Sequence, residues 1–387
     1  MAYRFDLADV AFLRSAQGAE ALAQTVGLPL TSSSRLSDVT ASRRLAGARA
    51  AAVLETALLR RKAAVKLDEA AHWLFTDEGA QQATPTAVAD HRAQRLAGRD
   101  VHDVTCSIGA ELAALASTAH RLLGSDLDPV RLAMAAHNVP GVALVRADAL
   151  FPVSRNTVVV ADPARRVGGR RQHDPAALQP PLPELLDVYA RRDLAVKCAP
   201  GLDFDGLAWS GEVELVSLNG GVREACLWSP GLSVGGVHRR ATVLSSSGPA
   251  WTVTDTDPDD ADVRAPGQWI VDPDGAVVRA GLVRHYAARH GLGQLDPRIA
   301  YLTGDIAPPG IRAFRVLEHG HYTERALRQA LRRRDAASVE ILVRGLGVDP
   351  DRLRPRLKLR GGSAALSVIL TRIGDVPTSF VCTAHRT

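Results

Sequence analysis

Lysine is nearly missing from this chain. Its 387 residues hold only Lys62, Lys66, Lys197 and Lys358 among 47 basic residues, which leaves 43 arginines. Aromatic residues are also sparse at 4%. An Arg- and Ala-rich, Lys-poor balance reflects a high-GC genome as well as function. The four cysteines, Cys106, Cys198, Cys226 and Cys382, are scattered and form no CxxC, which excludes a disulfide framework or a zinc knuckle. His319-x-His321 and the His285/His290 pair lack a Cys or carboxylate at supporting spacing and read as surface histidines, so no metal site is expected. No apolar run approaches the length of a bilayer crossing. The N-terminus carries Asp6 and Asp9 where a secretory leader would be apolar. These absences leave a soluble, cytoplasmic protein, and its length suggests two or three domains.

What is present has a clear order along the chain. Residues 1–98 read as a helical region, rich in Ala, Leu, Arg and Glu at helical spacing. Thr84 is expected to cap a helix that has Pro85 at its first position and closes at Gly98. Over 99–245, short apolar runs (VHDVTCSIG, RLLGSD, VALVRAD, NTVVVADP, DLAVKCAPG) alternate with helical stretches. That alternation predicts an α/β fold, a parallel sheet with helices on both faces. GEVELVSL and GVREACLW read as an antiparallel hairpin on the sheet edge. A linker and small β/α region is expected over 246–320, where SSSGPAWTVTDTDPDDAD reads as a turn-rich crossing and Asp274-Gly275 as a hairpin turn. A basic α+β module is expected over 321–387.

The positive charge has an address. Residues 312–360 carry 13 Arg or Lys against 6 Asp or Glu, an excess larger than the +5 of the whole chain. Seven Asp between 255 and 274 offset it. Aromatics are scarce among those arginines, so the segment suits phosphate contact better than base stacking. It also fits a solvated Arg-rich helix.

In a doubly wound sheet ligands sit at the carboxyl ends of the strands. The first strand ends in Asp103-Val-Thr-Cys-Ser-Ile-Gly109-Ala-Glu111, where Ser107 and Gly109 permit a tight turn close to a ligand. The three-glycine dinucleotide spacing is missing. Asp126 ends the second strand, placed to accept two ribose hydroxyl protons. Asp148 ends the third, placed to accept from an exocyclic amine, and Asp162-Pro163-Ala164-Arg165-Arg166 follows the fourth.

Acidic residues ending four successive strands, with a small-residue loop after the first, resemble a class I S-adenosylmethionine (SAM) methyltransferase. QQATPTAVADHRAQRL, DVTCSIGAELAALA and GSDLDPVRLAMAAHN, within residues 81–138, resemble motifs of RNA methyltransferases such as the trimethylguanosine synthase group. ADPARR, VKCAPGLDF and the tail ending RPRLKLRGG are similar to a bacterial family that joins a helical N-terminal region, a class I methyltransferase domain and a THUMP-like C-terminal domain. The resemblance covers most of the chain, most strongly 80–225. It implies a Rossmann-like sheet, SAM as methyl donor, and Asp103, Ser107, Gly109, Asp126 and Asp148 in its pocket. Thr84 either touches the methionine end of SAM or only caps its helix. The resemblance also implies RNA as substrate, because THUMP domains bind RNA.

The methylated atom is less legible. Amine methyltransferases carry Asn/Asp-Pro-Pro-aromatic after the fourth strand, and here Ala164 and Arg165 replace the last two. Asp162 remains able to accept from a base, with Arg165 or Arg166 on a phosphate or paired locally. Asp-Pro-Ala-Arg with Cys198-Ala-Pro resembles the paired motifs of RNA 5-methyluridine enzymes, whose thiolate attacks the pyrimidine ring. Cys198 is therefore a candidate nucleophile, with Lys197 able to lower its pKa, or else a buried packing residue. Lys197 itself holds a phosphate or covers the sheet edge. Alternatives to an RNA methyltransferase are an RNA-binding protein that keeps SAM without catalysis, and a methyltransferase for a small molecule or protein.

Overall fold

A computed structural model describes residues 3–164, 166–167, 170–171, 174–246, 248–308, 311–359 and 361–385. The chain forms two compact units, Met1–Glu212 with Glu224–Ser233, and Val213–Arg223 with Val234–Thr387.

The first unit opens with helices α1 (Leu7–Arg14), α2 (Ala16–Val26), α3 (Arg35–Ala46) and α4 (Ala50–Ala63). Asp6 starts α1 through a reciprocal capping box with Asp9, and the Ser15 hydroxyl caps α2. Val10, Leu13, Leu22, Val53 and Leu59 meet in a core that extends to Leu74 and Phe75. Helices α5 (Asp77–Gln82) and α6 (Thr86–Arg95) follow. Thr84 does not cap α6: Pro85 occupies the cap position, and Thr84 is buried with its hydroxyl taken by Lys197. A side chain claimed by a buried ammonium is not free to serve the helix end.

The alternating segment folds as β1 (Asp100–Asp103), α7 (Ala110–Leu115), β2 (Arg121–Asp126), α8 (Pro129–Asn138), β3 (Ala143–Arg146) and β4 (Val158–Ala161). A short ribbon, β5 (Arg166–Val167) and β6 (Arg170–Arg171), precedes α9 (Leu182–Val188) and β7 (Leu194–Cys198). Strands run in the order β7-β4-β1-β2-β3, and every neighbouring pair is parallel. All residues of β4 and β7 are buried, which explains the unbroken apolar run of β4 and the run of β7 that only Lys197 interrupts. The order reverses at β1, between β2 and β4. That switch point opens a crevice at the carboxyl ends of the strands.

Two strands lead onward, β8 (Glu212–Leu218) and β9 (Gly221–Trp228). Their turn, Asn219-Gly220, has both residues at positive φ (53° and 76°), as a two-residue hairpin requires. The hairpin is not an edge. Its β9 pairs antiparallel with β7, and β8 pairs parallel with β10 (Arg239–Leu244), which accounts for the near-complete burial of β8. The turn-rich crossing also holds a strand, β11 (Trp251–Thr254), antiparallel to β10.

The rest of the second unit contains β12 (Trp269–Val271), α10 (Gly275–Arg279), α11 (Val283–Arg289), β13 (Gly293–Asp296), β14 (Ile299–Gly304), β15 (Ala313–His321), α12 (Glu324–Arg333), β16 (Ala336–Val343), α13 (Pro350–Arg356), β17 (Ala364–Ile373) and β18 (Val376–His385). Asp274-Gly275 is not a hairpin turn. The Asp274 carboxylate accepts from the Ala276 amide and starts α10, the other structure that an Asp-Gly pair serves. A mixed sheet runs β13-β14-β12-β15-β18-β17-β16. Leu327 and Leu331 of α12 and Leu353 and Leu357 at α13 cover it, packing with Val368, Leu370 and Val381. Among the described residues no helix is long and apolar enough to cross a membrane.

Candidate active site

The crevice at the switch point is a cavity of about 540 Å³, within the range of small-molecule sites. Its walls come from the loops after β1, β2, β3 and β4, from the end of β7, and from the α5–α6 connection. Asp103, Ser107, Asp126, Asp148, Asp162 and Thr84 all line it.

The β1 loop owes its shape to hydrogen bonds that its own sequence supplies. Asp103 Oδ1 accepts from the Thr105 amide at 3.0 Å, and Thr105 Oγ1 accepts from the Asp162 amide at 2.7 Å. Ser107 takes φ 49°, and its amide donates to Asp126 Oδ2 at 3.0 Å. Asp126 Oδ1 accepts from the Asp128 amide at 2.8 Å, so both oxygens are held in place. Asp148 Oδ1 is held by the Leu150 amide at 3.0 Å. Gly109 is not among the lining residues. Its φ of 89° lets the chain turn into α7, where a Cβ would come within 3.0 Å of Val139. Cys106 is buried, and burial pushes its thiol well above the ordinary range, as suits a packing residue.

Beside Asp103 lies a buried cluster that sequence reading left unassigned. Arg92 of α6 bonds Glu224 of β9 and lies 3.3 Å from Glu111 Oε1. Burial pushes the Glu111 carboxyl up to about 7, against the pull of Arg92 and with added repulsion from Glu224. Burial, then the Glu111 charge, raises Asp103 well above the carboxylate range. Arg92 is held above its usual value: burial works against its charge, but Glu111 and Glu224 outweigh it. The folded protein therefore keeps a proton on Glu111 between about pH 4.5 and 7 that the unfolded chain releases. Stability falls as pH rises through that window. Glu111→Gln is expected to shrink the stability difference between pH 5 and pH 8 by on the order of 2 kcal/mol, read from urea unfolding at both. An unchanged difference would contradict this.

A further part of the cavity wall is built on β4 and β7. Lys197 Nζ donates to Asp162 Oδ2 at 2.6 Å and to Thr84 Oγ1 at 2.8 Å. The Pro163 side of the loop is fixed by Ala164, which exchanges two backbone hydrogen bonds with Gln179. Ala164, Gln179, Pro180 and Pro181 line the wall there. No aromatic ring is found among the described lining residues. Cys198 follows Lys197 on the strand, is buried, and is absent from the lining. Arg165 lies outside the described residues.

The residues fit a cationic nucleoside. Seven carboxylates (Glu78, Asp103, Glu111, Asp126, Asp128, Asp148, Asp162) face three cations (Arg92, Arg131, Lys197) around the cavity. Carboxyls raised by burial, as Asp103, Glu111 and Asp126 are, gain most from an added positive charge.

The comparisons with known proteins agree. The chain is 57% identical over 357 residues to uncharacterized S-adenosylmethionine-dependent methyltransferases of Mycobacterium tuberculosis strains CDC 1551 and H37Rv, covering 88% of this chain and 99% of each relative. This chain belongs to the S-adenosylmethionine-dependent methyltransferases. Residues 311–384 of the methyltransferase match the family described as THUMP domain-like, and residues 6–63 match a domain of unknown function. A crystal structure from Porphyromonas gingivalis W83, provisionally classed as a methyltransferase, shares the fold over 100% of both chains, with a TM-score of 0.72 and 16% identity. SAM is thus the cofactor of this methyltransferase.

Arg92 and Glu224 escaped sequence reading, and Lys197 was read without its partners Asp162 and Thr84, although a signal was there. Arg92 falls in phase with Val88, Ala89 and Ala93, the buried stripe of α6. Lys197 and Glu224 sit inside apolar strands. A charge in phase with an apolar stripe marks a buried, paired group. Glu78, Gln82 and Gln179 carried no such mark.

Proposed function

We propose that this methyltransferase acts on RNA, with its Arg-rich THUMP-like region holding the phosphate backbone and the acceptor base entering the cavity at Asp162. The observation that carries the reading is the THUMP domain-like match over 311–384, on a segment most of whose described cations are exposed. Leu327, Ala330 and Leu331 turn one face of α12 to the sheet, leaving Arg325, Arg332 and Arg333 exposed. Arg333 and Arg334 pair with Glu318, and Arg356 with Glu324. Arg325, Arg332 and Lys358 are exposed and have no acidic partner among the described residues.

In this reading Asp126 holds the ribose and Asp148 the adenine amine of SAM, with Asp103 and Glu111 toward its cationic end. SAM supplies a methyl group on a sulfonium, open to attack by a nucleophile. Asp162 orients the acceptor and takes a hydrogen bond from it, while the β1 loop and the α5–α6 connection exclude water. Cys198 receives no role as nucleophile, since the alternation of β7 puts Lys197, not its neighbour, at the cavity.

Replacing Arg325, Arg332 and Lys358 together by Ala is expected to weaken binding of total RNA about tenfold or more. The dependence of log affinity on log salt should become shallower by roughly 3, about one for each phosphate no longer neutralised. S-adenosylhomocysteine affinity should not change. Filter binding across a salt series checks this, and an unaltered salt slope would contradict it.

A further inference from the structure

We infer that Lys197 is a positioning residue for methyl transfer. It fixes Asp162 at the reacting end of the cavity and ties it to the Gln82–Thr84 segment, which forms the wall beside it. The inference rests on the proposed role of Asp162 and adds a residue on which that role depends.

Four observations converge. First, β7 is apolar apart from Lys197, and all five of its residues are buried. An ammonium in such a strand costs several kcal/mol of desolvation unless its bonds are complete, and an aliphatic side chain would serve stability as well. Second, the bonds are complete. Nζ has three donors and meets three oxygens: Asp162 Oδ2 at 2.6 Å, Thr84 Oγ1 at 2.8 Å and the Gln82 carbonyl at 3.4 Å. Third, those oxygens belong to two elements that nothing in local sequence brings together. Asp162 follows β4, while Gln82 ends α5 and Thr84 lies between α5 and α6, and all of these residues line the cavity. Fourth, the pair is asymmetric. The Lys197 side chain is 7% exposed and that of Asp162 is 39% exposed, so the cation is sealed inside while the carboxylate faces the cavity.

Thr84 and Asp162 thus share one donor, and Lys197 cannot move without releasing both. Oδ2 of Asp162 is occupied by Lys197, and Oδ1 has no hydrogen-bond partner among the described residues. The Asp162 amide is separately fixed by Thr105 Oγ1. The carboxylate is therefore anchored at its backbone and at one oxygen, leaving one acceptor atom for an incoming N–H or O–H group. Such pre-set geometry lowers the ordering cost when an acceptor binds.

The test uses the full-length protein and its Lys197→Met, Lys197→Arg and Thr84→Val variants. Hydrogen exchange and calorimetric binding of S-adenosylhomocysteine are measured on the same preparations, and neither needs the acceptor to be known. In Lys197→Met, amides of residues 81–86 should exchange at least tenfold faster, while β1 and β4 keep their protection and S-adenosylhomocysteine affinity stays within about threefold. Lys197→Arg should restore most of the protection, because it keeps a donor for each side. Thr84→Val should loosen the same residues less. Methyl transfer from labelled SAM is then followed into whichever of total RNA or total protein accepts label. Lys197→Met and Asp162→Asn should each lose at least a hundredfold, and the double variant should lose no more than either alone.

Unchanged exchange at residues 81–86 in Lys197→Met would overturn the inference, as would losses that multiply in the double variant. If Lys197→Met fails to fold, Thr84→Val with Lys197→Arg decides from exchange alone. Label in protein and not in RNA would refute the RNA reading while leaving the Lys197 result standing. Full transfer by Asp162→Asn would refute the role of Asp162, with the exchange data still judging the tether.

Discussion

Asp126→Ala should abolish useful cofactor binding, with S-adenosylhomocysteine affinity falling about a hundredfold by calorimetry. In the proposed reading Asp126 makes two charge-assisted hydrogen bonds to ribose hydroxyls, which together contribute on the order of 3 kcal/mol. That corresponds to about a hundredfold in Kd. The same carboxylate holds the Ser107 amide at 3.0 Å and the Asp128 amide at 2.8 Å, so its loss also frees the β1 loop and the start of α8. Asp126→Asn should be nearly as damaging. An amide group offers one acceptor oxygen where two backbone N–H groups need two, and its own N–H groups would face one of them. An Asp126→Asn protein binding within threefold of the parent would contradict the assignment.

Asp162→Asn should show the opposite signature, with cofactor affinity kept and methyl transfer lost. Removing a carboxylate positioned at developing charge typically costs a hundred- to a thousandfold in turnover. On its proposed role the effect belongs in kcat, because Asp162 would contribute most when the acceptor is becoming charged. Asn is the informative substitution. Its carbonyl still accepts from Lys197, whereas Ala would strand a buried ammonium at a cost of about 3–5 kcal/mol and confound chemistry with stability. Single-turnover transfer under saturating SAM, compared with the calorimetric affinity, separates the two. Loss of affinity together with turnover would move Asp162 from the acceptor to the cofactor.

How much of this was readable beforehand depended on how locally each residue does its work. Asp103, Asp126, Asp148 and Asp162 stood out because each ends an apolar run, and a parallel sheet gathers such ends at one rim. Asp103, Asp126 and Asp148 are each held by the amide two residues on, at Thr105, Asp128 and Leu150. Arg92 and Lys197 were less legible because their partners are remote. Arg92 meets Glu224 across 132 residues, and Lys197 meets Thr84 across 113. The misreadings share a cause. Thr84 has the chemistry of a helix cap but its hydroxyl is taken by the remote Lys197, and Asp274-Gly275 suits a hairpin turn as well as the helix start it forms, so neither specifies its structure alone. The hairpin β8–β9 was recognised from its turn, but its depth in a sheet was set by β10, about twenty residues further on.

The RNA reading faces its most direct test in transfer of tritiated methyl from SAM to total bacterial RNA, with half of each reaction treated with ribonuclease before precipitation. Label that is lost on ribonuclease treatment, and absent with Asp162→Asn protein, is the predicted result. Label that survives ribonuclease and disappears with protease would contradict it and assign a protein acceptor.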